Sequence, residues 1–168
     1  MELTSAAANK MLKSYNERIA FLYQREYTNM TYTEVQGVKP EIPDYSFDET
    51  RKEIEELNRK VVILKHAINR FNTDTRLKKI DVSIDMALIQ LGQLSTMKKR
   101  LEQMRNTEKR KIRSTFGQRA TSGSVEYDVA NFDKESVEKA YQKVCEDITT
   151  LQLELDLCNN TVTFMVDL

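Results

Sequence analysis

The chain has 168 residues, of which 31% are charged, with four Gly, two Pro and no Trp; its 26 basic and 26 acidic side chains give a net charge of zero. This length favours one domain with a hydrophobic core, and the composition is typical of a helix-rich protein rather than a β-sandwich or barrel. A neutral chain has no overall field that would attract nucleic acid or an anionic membrane.

The first helix is predicted from about residue 3 to residue 30. The first ten residues, "MELTSAAANK", contain neither the basic region nor the apolar core of a secretory signal. No window of the chain approaches the roughly 20 apolar residues that cross a bilayer. We therefore expect a cytoplasmic protein and no membrane partner. Apolar residues recur at helical spacing in this first helix, at Ala8, Leu12, Tyr15, Ile19 and Leu22.

A loop with both prolines, "GVKPEIPDYSFDE", separates the first helix from the second. Proline disfavours helix in the residue before it, and Ser46 or Asp48 is placed to cap a second helix over about 48–71. Apolar residues in that helix alternate strictly in steps of three and four, the heptad spacing of a helix that packs on a partner helix. This seam consists of Ile54, Leu57, Val61, Leu64, Ile68 and Phe71.

A polar corner follows, within the sequence "HAINRFNTDTRLKK" of residues 66–79. We expect Asn72 to end the helix in the left-handed conformation and the next three residues to supply oxygens for the free amides of the turn. Arg70 and Arg76 either tether the corner to acidic residues of a neighbouring helix or clamp a carboxylate or phosphate. We favour the structural role, because such a corner must satisfy its own backbone groups. The candidate corner residues are Asn69, Arg70, Asn72, Thr75 and Arg76.

The third helix is predicted over about 81–113, beginning at Asp81 or Ser83. Some of its apolar residues are separated by successive steps of three, which indicates a local adjustment of the supercoil. These residues are Ile84, Leu88, Leu91, Leu94, Met97, Leu101 and Met104.

A basic stretch covers residues 98–119, with nine Lys or Arg against Glu102 and Glu108. Such an excess can neutralise phosphates. Residues 120–168, however, carry ten acids against three bases. We expect these charges to pair within or between chains, and we do not expect nucleic-acid binding. The candidate basic surface consists of Lys98, Lys99, Arg100, Lys109, Arg110, Lys111 and Arg113.

Two short β-strands are predicted between the third and fourth helices. Gly117 and Gly123 bracket a polar tip, and "KIRSTF" and "SVEYDVANF" on either side alternate β-branched and aromatic residues. We therefore predict a β-hairpin arm over about 111–132, with Asp133 capping a fourth helix over about 134–163. The seam of the fourth helix consists of Val137, Tyr141, Val144, Ile148, Leu151, Leu155, Cys158 and Val162.

The predicted fold class is all-α. A single domain of residues 1–168 is expected to form an elongated antiparallel bundle, or coiled coil, of four helices, with the small β-hairpin arm between helices 3 and 4.

Two stretches, "AINRFNTDTRL" and "VEYDVANFDKESVEKAYQKVCEDITTLQLELDLCNNTVTF", carry a recognisable pattern. From about residue 48 to the end the chain resembles the septicolysin-like family, small bacterial helical proteins classed under a domain of unknown function. In that family the strand before the final helix begins with Arg-Ser, whereas an insertion here separates Arg113 and Ser114 from "VEYDV". The family name implies a cytolysin, but the resemblance assigns no chemistry to any residue. The signature residues matched are Ile68, Asn69, Arg70, Asn72, Thr75, Arg76 and Leu77.

Residues arranged for catalysis or metal binding cannot be picked out. His66 is the only histidine, and no cysteine or acidic cluster lies near it at ligand spacing. Cys145 and Cys158 lie about 20 Å apart on one predicted helix, too far to form a disulfide with each other. There is no Gly-rich phosphate loop and no nucleophile with a partner base. We expect no catalytic activity and no metal or cofactor.

The function predicted from these patterns is that of an oligomeric scaffold or protein-interaction module, in a phage or mobile-element context. The alternative is a membrane-active, cytolysin-like protein or a nucleic-acid-binding protein that uses the basic stretch. A homo-oligomer is expected because the arm leaves strand edges unpaired and because several apolar residues lie off the seams. These residues are Phe21, Tyr23, Ile89, Leu153 and Leu157.

Overall fold

A computed structural model describes residues 1–113 and 125–168. Within these ranges the chain is mostly helical, as predicted, with two small antiparallel pairs of strands. The helices are α1 (Ser5–Asn29), α2 (Phe47–Asp74), α3 (Ile84–Asn106) and α4 (Lys134–Thr161). The strands are β1 (Glu2–Thr4), β2 (Arg110–Ile112), β3 (Tyr127–Val129) and β4 (Thr163–Met165).

The helix boundaries agree with the predicted ones to within a few residues, except at the end of α3. We expected that helix to continue to residue 113, but it ends at Asn106 and the chain then forms β2. The predicted third helix and the predicted β-hairpin arm overlap at residues 111–113, and the chain forms a strand, not a helix, at this overlap. Ser46 caps α2, since its hydroxyl accepts a hydrogen bond from the amide of Glu49.

The described chain divides into two compact units. The first unit comprises Met1–Asp85 together with Glu154–Leu168, and the second comprises Met86–Leu153. The division falls inside α3 and α4.

In the first unit, α1 packs along α2 and a sheet of β1 and β4 covers part of the same core. Leu64 and Ala8 are completely buried there, and Val166 is 1% exposed. The two strands are antiparallel, with Leu3 opposite Phe164. This sheet differs from the prediction, in which residues 3 and 4 belong to the first helix and residue 163 to the fourth.

In the second unit, Val137, Val144 and Leu151 of α4 are buried, as the fourth seam predicted. Arg105 of α3 reaches α4: its Nε lies 2.6 Å from a carboxylate oxygen of Glu138, and its guanidinium carbon lies 4.2 Å from the centre of the Tyr141 ring. Arg105 thus adds an ion pair and a cation–π contact at the edge of the apolar seam of α4.

The strands of the predicted arm are present, since β2 pairs antiparallel with β3. Residues 114–124, which include Gly117 and Gly123 of the predicted tip, lie outside the described residues. After β3, Asp133 caps α4 as predicted: its carboxylate accepts hydrogen bonds from the amide and the hydroxyl of Ser136. These bonds lower the pKa of Asp133.

None of the helices in the described ranges has a stretch long and apolar enough to cross a bilayer.

Candidate functional site

The polar corner begins later than predicted. Asn72 lies inside α2, which continues to Asp74, so the prediction that Asn72 ends the helix in the left-handed conformation is wrong. The amide of Thr75 still donates to the carbonyl of Phe71, and the Phe71 ring stacks on Phe164 at 4.6 Å between ring centres. Packing of Phe71 on the terminal strand therefore accompanies the extra turn of helix. The left-handed residue of the corner is Asp81, with a φ of 54°.

Arg76 closes the corner on itself rather than reaching a neighbouring helix. Its Nε lies 2.8 Å from Oδ1 of Asp81, and its Nη2 donates to the backbone carbonyl of the same residue. Arg76 also forms a β-bridge with Ser83, and the amide of Leu77 donates to the carbonyl of Val82 at 2.9 Å. The guanidinium lowers the pKa of Asp81. Arg76 thereby stabilises the positive φ that connects α2 to α3.

A buried carboxylate holds the same corner to α4. Glu154 is only 5% exposed, and its two oxygens lie 3.0 Å from Nζ and 3.3 Å from the backbone amide of Lys79. The hydrogen bond from the Lys79 side chain lowers the pKa of Glu154. Next to Glu154, burial raises the pKa of the Cys158 thiol. Glu154 could not be identified from the sequence, because charged residues inside a helix are ordinarily assigned to its solvent face.

Arg70 has a different environment from Arg76. It is exposed and forms no ion pair with any residue that the structure describes. Its side chain lines a groove of about 700 Å³ between one flank of α2 and the C-terminal strand. The α2 residues along this groove are Val62, Ile63, His66, Ala67, Arg70, Phe71 and Asp74, followed by Thr75. We call this cavity the β4 groove.

The β4 groove runs along the unpaired edge of β4. Six consecutive residues, 162–167, line it, whereas no residue of β1 does. The amide and carbonyl of Val166 both bond to Met1, on the β1 side. Because successive residues of a strand direct these groups to opposite sides, those of Thr163, Met165 and Asp167 point away from β1. The alternation in "TVTFMV" is the sequence signal that could have predicted this strand.

Part of the basic stretch of residues 98–119 is paired with acidic residues. Arg113 lies 3.6 Å from Glu126 and 3.8 Å from Asp128, and Arg105 pairs with Glu138. The seven predicted members fall into two groups by position. Lys98, Lys99 and Arg100 lie on α3, whereas Lys109, Arg110, Lys111 and Arg113 lie on or beside β2.

Arg110 contacts an aromatic ring instead of a carboxylate. Its guanidinium carbon lies 3.7 Å from the centre of the Tyr127 ring on the paired strand. Lys109 and Lys111 form no ion pair within residues 1–113 and 125–168. The positive charge of this hairpin is therefore only partly compensated.

Large apolar side chains are exposed on several helices. The five off-seam residues of the sequence analysis are all exposed, from Tyr23 at 45% to Leu153 at 64%. Tyr23 and Tyr27 are one turn apart on α1, and Met30 is the residue that caps the end of this helix. Tyr27 is 70% exposed and Met30 is 61% exposed. We call these three residues the α1 stripe. Beyond it Tyr32, Val35, Val38 and Ile42 are also exposed.

The described residues contain no group that could hold a metal ion. No cluster of three or more His, Cys, Asp or Glu occurs there. His66 lies on the wall of the β4 groove. Cys145 and Cys158 are both free thiols.

No protein-family model matches the chain, and no curated protein matches it significantly. Among solved structures, a functionally unknown conserved protein from Corynebacterium diphtheriae is similar, with a TM-score of 0.65 and 19% sequence identity. The match covers 98% of this chain and 100% of that protein. It shows that the two chains share a fold. The resemblance to the septicolysin-like family stays a prediction.

Proposed function

We propose that this protein is a non-catalytic interaction module that acts as an oligomeric scaffold in the cytoplasm. The observation that carries the proposal is the α1 stripe, Tyr23, Tyr27 and Met30, which is exposed together with four apolar residues of the loop that follows. Large apolar side chains that are exposed one helical turn after another are typical of a surface that binds another protein. Tyrosine is also enriched among residues that dominate binding energy.

In this proposal the four helices form an antiparallel bundle whose main task is to present such surfaces. The heptad seams support this, since Ile54, Leu64 and Leu155 are at most 5% exposed while the off-seam positions remain exposed. Membership of the septicolysin-like family and a phage or mobile-element context belong to the same proposal. They are supported only by the resemblance of the corner and the final helix.

The test is affinity purification from the native host with three forms of the protein. The wild type is compared with Tyr27→Ser combined with Met30→Ser, and with the matched control Lys10→Ser combined with Lys13→Ser, which changes two polar positions of the same helix. We expect a defined protein that the wild type and the control retain and the stripe variant loses. Recovery of the same proteins by all three forms would reject the α1 stripe as the binding surface.

A further inference from the structure

We propose that the outer face of α3 is a dimer interface, on which α3 of a second copy of this chain packs antiparallel across Gly92. This inference rests on the proposed oligomeric role, but it uses a surface separate from the α1 stripe. We call this face of the helix the α3 stripe. Its residues recur in steps of three and four and are all exposed: Asp85, Leu88, Ile89, Gly92, Ser95, Thr96 and Lys99.

The α3 stripe contains large apolar side chains that nothing in its own helix covers. Ile84 and Ala87 are the buried residues of α3, whereas Leu88 is 48% exposed and Ile89 is 58% exposed. Ile89 lies on the side of the helix opposite Ile84 and Ala87, because successive residues are about 100° apart. A second helix that packs on this side would remove both side chains from water.

Gly92, in the middle of the stripe, is not required by the fold of a single copy. Glycine is less favourable than alanine in a helix interior, and a Cβ added at Gly92 would meet no described atom within 4 Å. Its φ is not positive, so its backbone conformation does not require glycine either. A glycine on an exposed helix face does, however, allow the backbone of a second helix to approach closely.

The order of side chains around Gly92 fits antiparallel packing of the stripe on itself. Two large residues, Leu88 and Ile89, precede the glycine, and two small ones, Ser95 and Thr96, follow it. A two-fold axis at Gly92 brings together residues at equal distances before and after it, so each large pair meets the partner's small pair. A parallel pair of helices would instead bring the large residues against each other.

The two small side chains can be covered without loss of a hydrogen bond. The hydroxyl of Ser95 donates to the carbonyl of Leu91 at 2.7 Å, and that of Thr96 donates to the carbonyl of Gly92 at 3.0 Å. Burial of a hydroxyl is costly when the group has no hydrogen-bond partner. Because both hydroxyls are bonded within their own helix, a second helix can pack on them.

Charge complementarity selects a second copy of the chain as the occupant. Asp85 precedes Gly92 by seven residues and Lys99 follows it by seven, about 10.5 Å along the helix in each direction. Neither side chain forms an ion pair with any residue that the structure describes. Antiparallel packing brings Asp85 of one copy beside the partner subunit's Lys99, and the two-fold axis forms the same pair a second time.

The charges next to Lys99 do not oppose this pair. Arg100 and Glu102 lie on opposite flanks of the α3 stripe and have opposite signs, and Lys98 is half-buried on the side of the seam. Asp85 therefore meets one exposed lysine on the stripe itself.

The first experiment measures mass by sedimentation equilibrium over a range of protein concentrations. We expect the wild type to rise from 19.6 kDa toward twice that mass, with weak affinity because a single pair of helices is a small interface. Gly92→Leu should be monomeric, because its side chain separates the helices. The matched control Gln93→Leu adds the same side chain on the flank of the stripe and should dimerise like the wild type.

Thermal unfolding of Gly92→Leu excludes a folding defect. Leucine favours a helix more than glycine does, so this variant should be at least as stable as the wild type while it loses the dimer. A wild type that stays monomeric at every concentration, or a Gly92→Leu variant that dimerises as well as the wild type, would overturn the proposal.

The second experiment tests the register by charge reversal. Asp85→Lys and Lys99→Asp, each made alone, place like charges beside each other twice per dimer and should raise the dimer Kd about tenfold. The double variant restores opposite charges and should recover most of the affinity. Single variants that dimerise as well as the wild type would exclude this pairing.

The third experiment tests the direction of packing by mild oxidation, with the linked residues identified by mass spectrometry because Cys145 and Cys158 are also free thiols. Gly92→Cys should form a disulfide-linked dimer, because both copies of residue 92 lie at the axis. Lys99→Cys should not, because the two copies of residue 99 are about 21 Å apart in the antiparallel dimer. Linkage through residue 99 would mean parallel packing and would reject the register.

The same variants separate this inference from the proposed function. A dimer that persists in Gly92→Leu but is lost in the Tyr27→Ser and Met30→Ser variant would reject the α3 stripe and retain oligomerisation through the α1 stripe. A monomeric wild type that captures a host protein, which Gly92→Leu loses and Gln93→Leu retains, would assign the α3 stripe to a different partner.

Discussion

The strongest stability prediction concerns Leu64, which is completely buried in the core formed by α1, α2 and the terminal sheet. Leu64→Ala removes about three carbon groups from this core, worth about 2.4 kcal/mol at about 0.8 kcal/mol for each. The cavity that remains next to Ile68 and Val166 adds to this cost, so we expect a loss of about 3–4 kcal/mol in the free energy of unfolding. For a chain of this size that corresponds to a fall in Tm of about 6–16 °C.

The measurement is thermal and urea unfolding followed by far-ultraviolet circular dichroism, with Leu153→Ala as the matched control. Leu153 undergoes the same chemical change but is 64% exposed on α4. Its replacement should cost about 0.5 kcal/mol or less. If the two variants lost equal stability, the assignment of Leu64 to the core and of Leu153 to the surface would be refuted.

Glu154, Asp133 and the basic hairpin can each be tested by substitution. Glu154→Gln should lower the Tm at neutral pH. Because Lys79 lowers the pKa of Glu154, the ion pair stabilises the fold above the ordinary pKa of 4.5, and this stabilisation is lost as the pH falls below that value. The difference in Tm between the variant and the wild type should therefore shrink in acid. A difference independent of pH would contradict that pairing. Asp133→Ala should increase hydrogen exchange in the first turn of α4, whereas Asp133→Asn, which can still cap, should not; equal exchange in both would argue against the cap. Neither the wild type nor the variant with Lys109→Glu and Lys111→Glu should retard DNA in a gel, because we expect no DNA affinity in the wild type. Retardation by micromolar wild type that weakens steeply with salt and is lost in this variant would favour a nucleic-acid-binding protein over an interaction module.

The sequence predicted the helices well because their signal is local. A heptad seam identifies the buried face from residues three and four apart, and Leu64, Ile68 and Val144 of the predicted seams are indeed buried. The cap at Asp133 could be predicted equally well, since its partner Ser136 is three residues away. The end of α3 could not be predicted, because strand formation at Arg110 depends on pairing with a segment beyond it.

The candidate corner was recognised but its internal arrangement was not. Arg76 was expected to pair with an acidic residue or bind an anion, but the choice of Asp81 depends on a left-handed residue that only the closed turn reveals. Arg70 shares the same signature and yet faces a groove. Sequence position alone did not separate these two arginines, because the α2 flank that carries Arg70 is defined by the strand packed beside it.

The amino-acid sequence by itself determined that this chain is mostly helical and which faces of α2 and α4 are buried, since both follow from short-range spacing of apolar side chains. The seam predicted for α3 is wrong in part, because Leu88 and Met97 are exposed and Ala87, outside that seam, is buried. Only the tertiary structure decided that Met1 pairs with Val166, that Glu154 is buried against Lys79, and that β4 keeps one free edge. The physical reason is separation along the chain: a strand pair between the two ends leaves no local periodicity, because its hydrogen bonds join backbone groups that every residue carries.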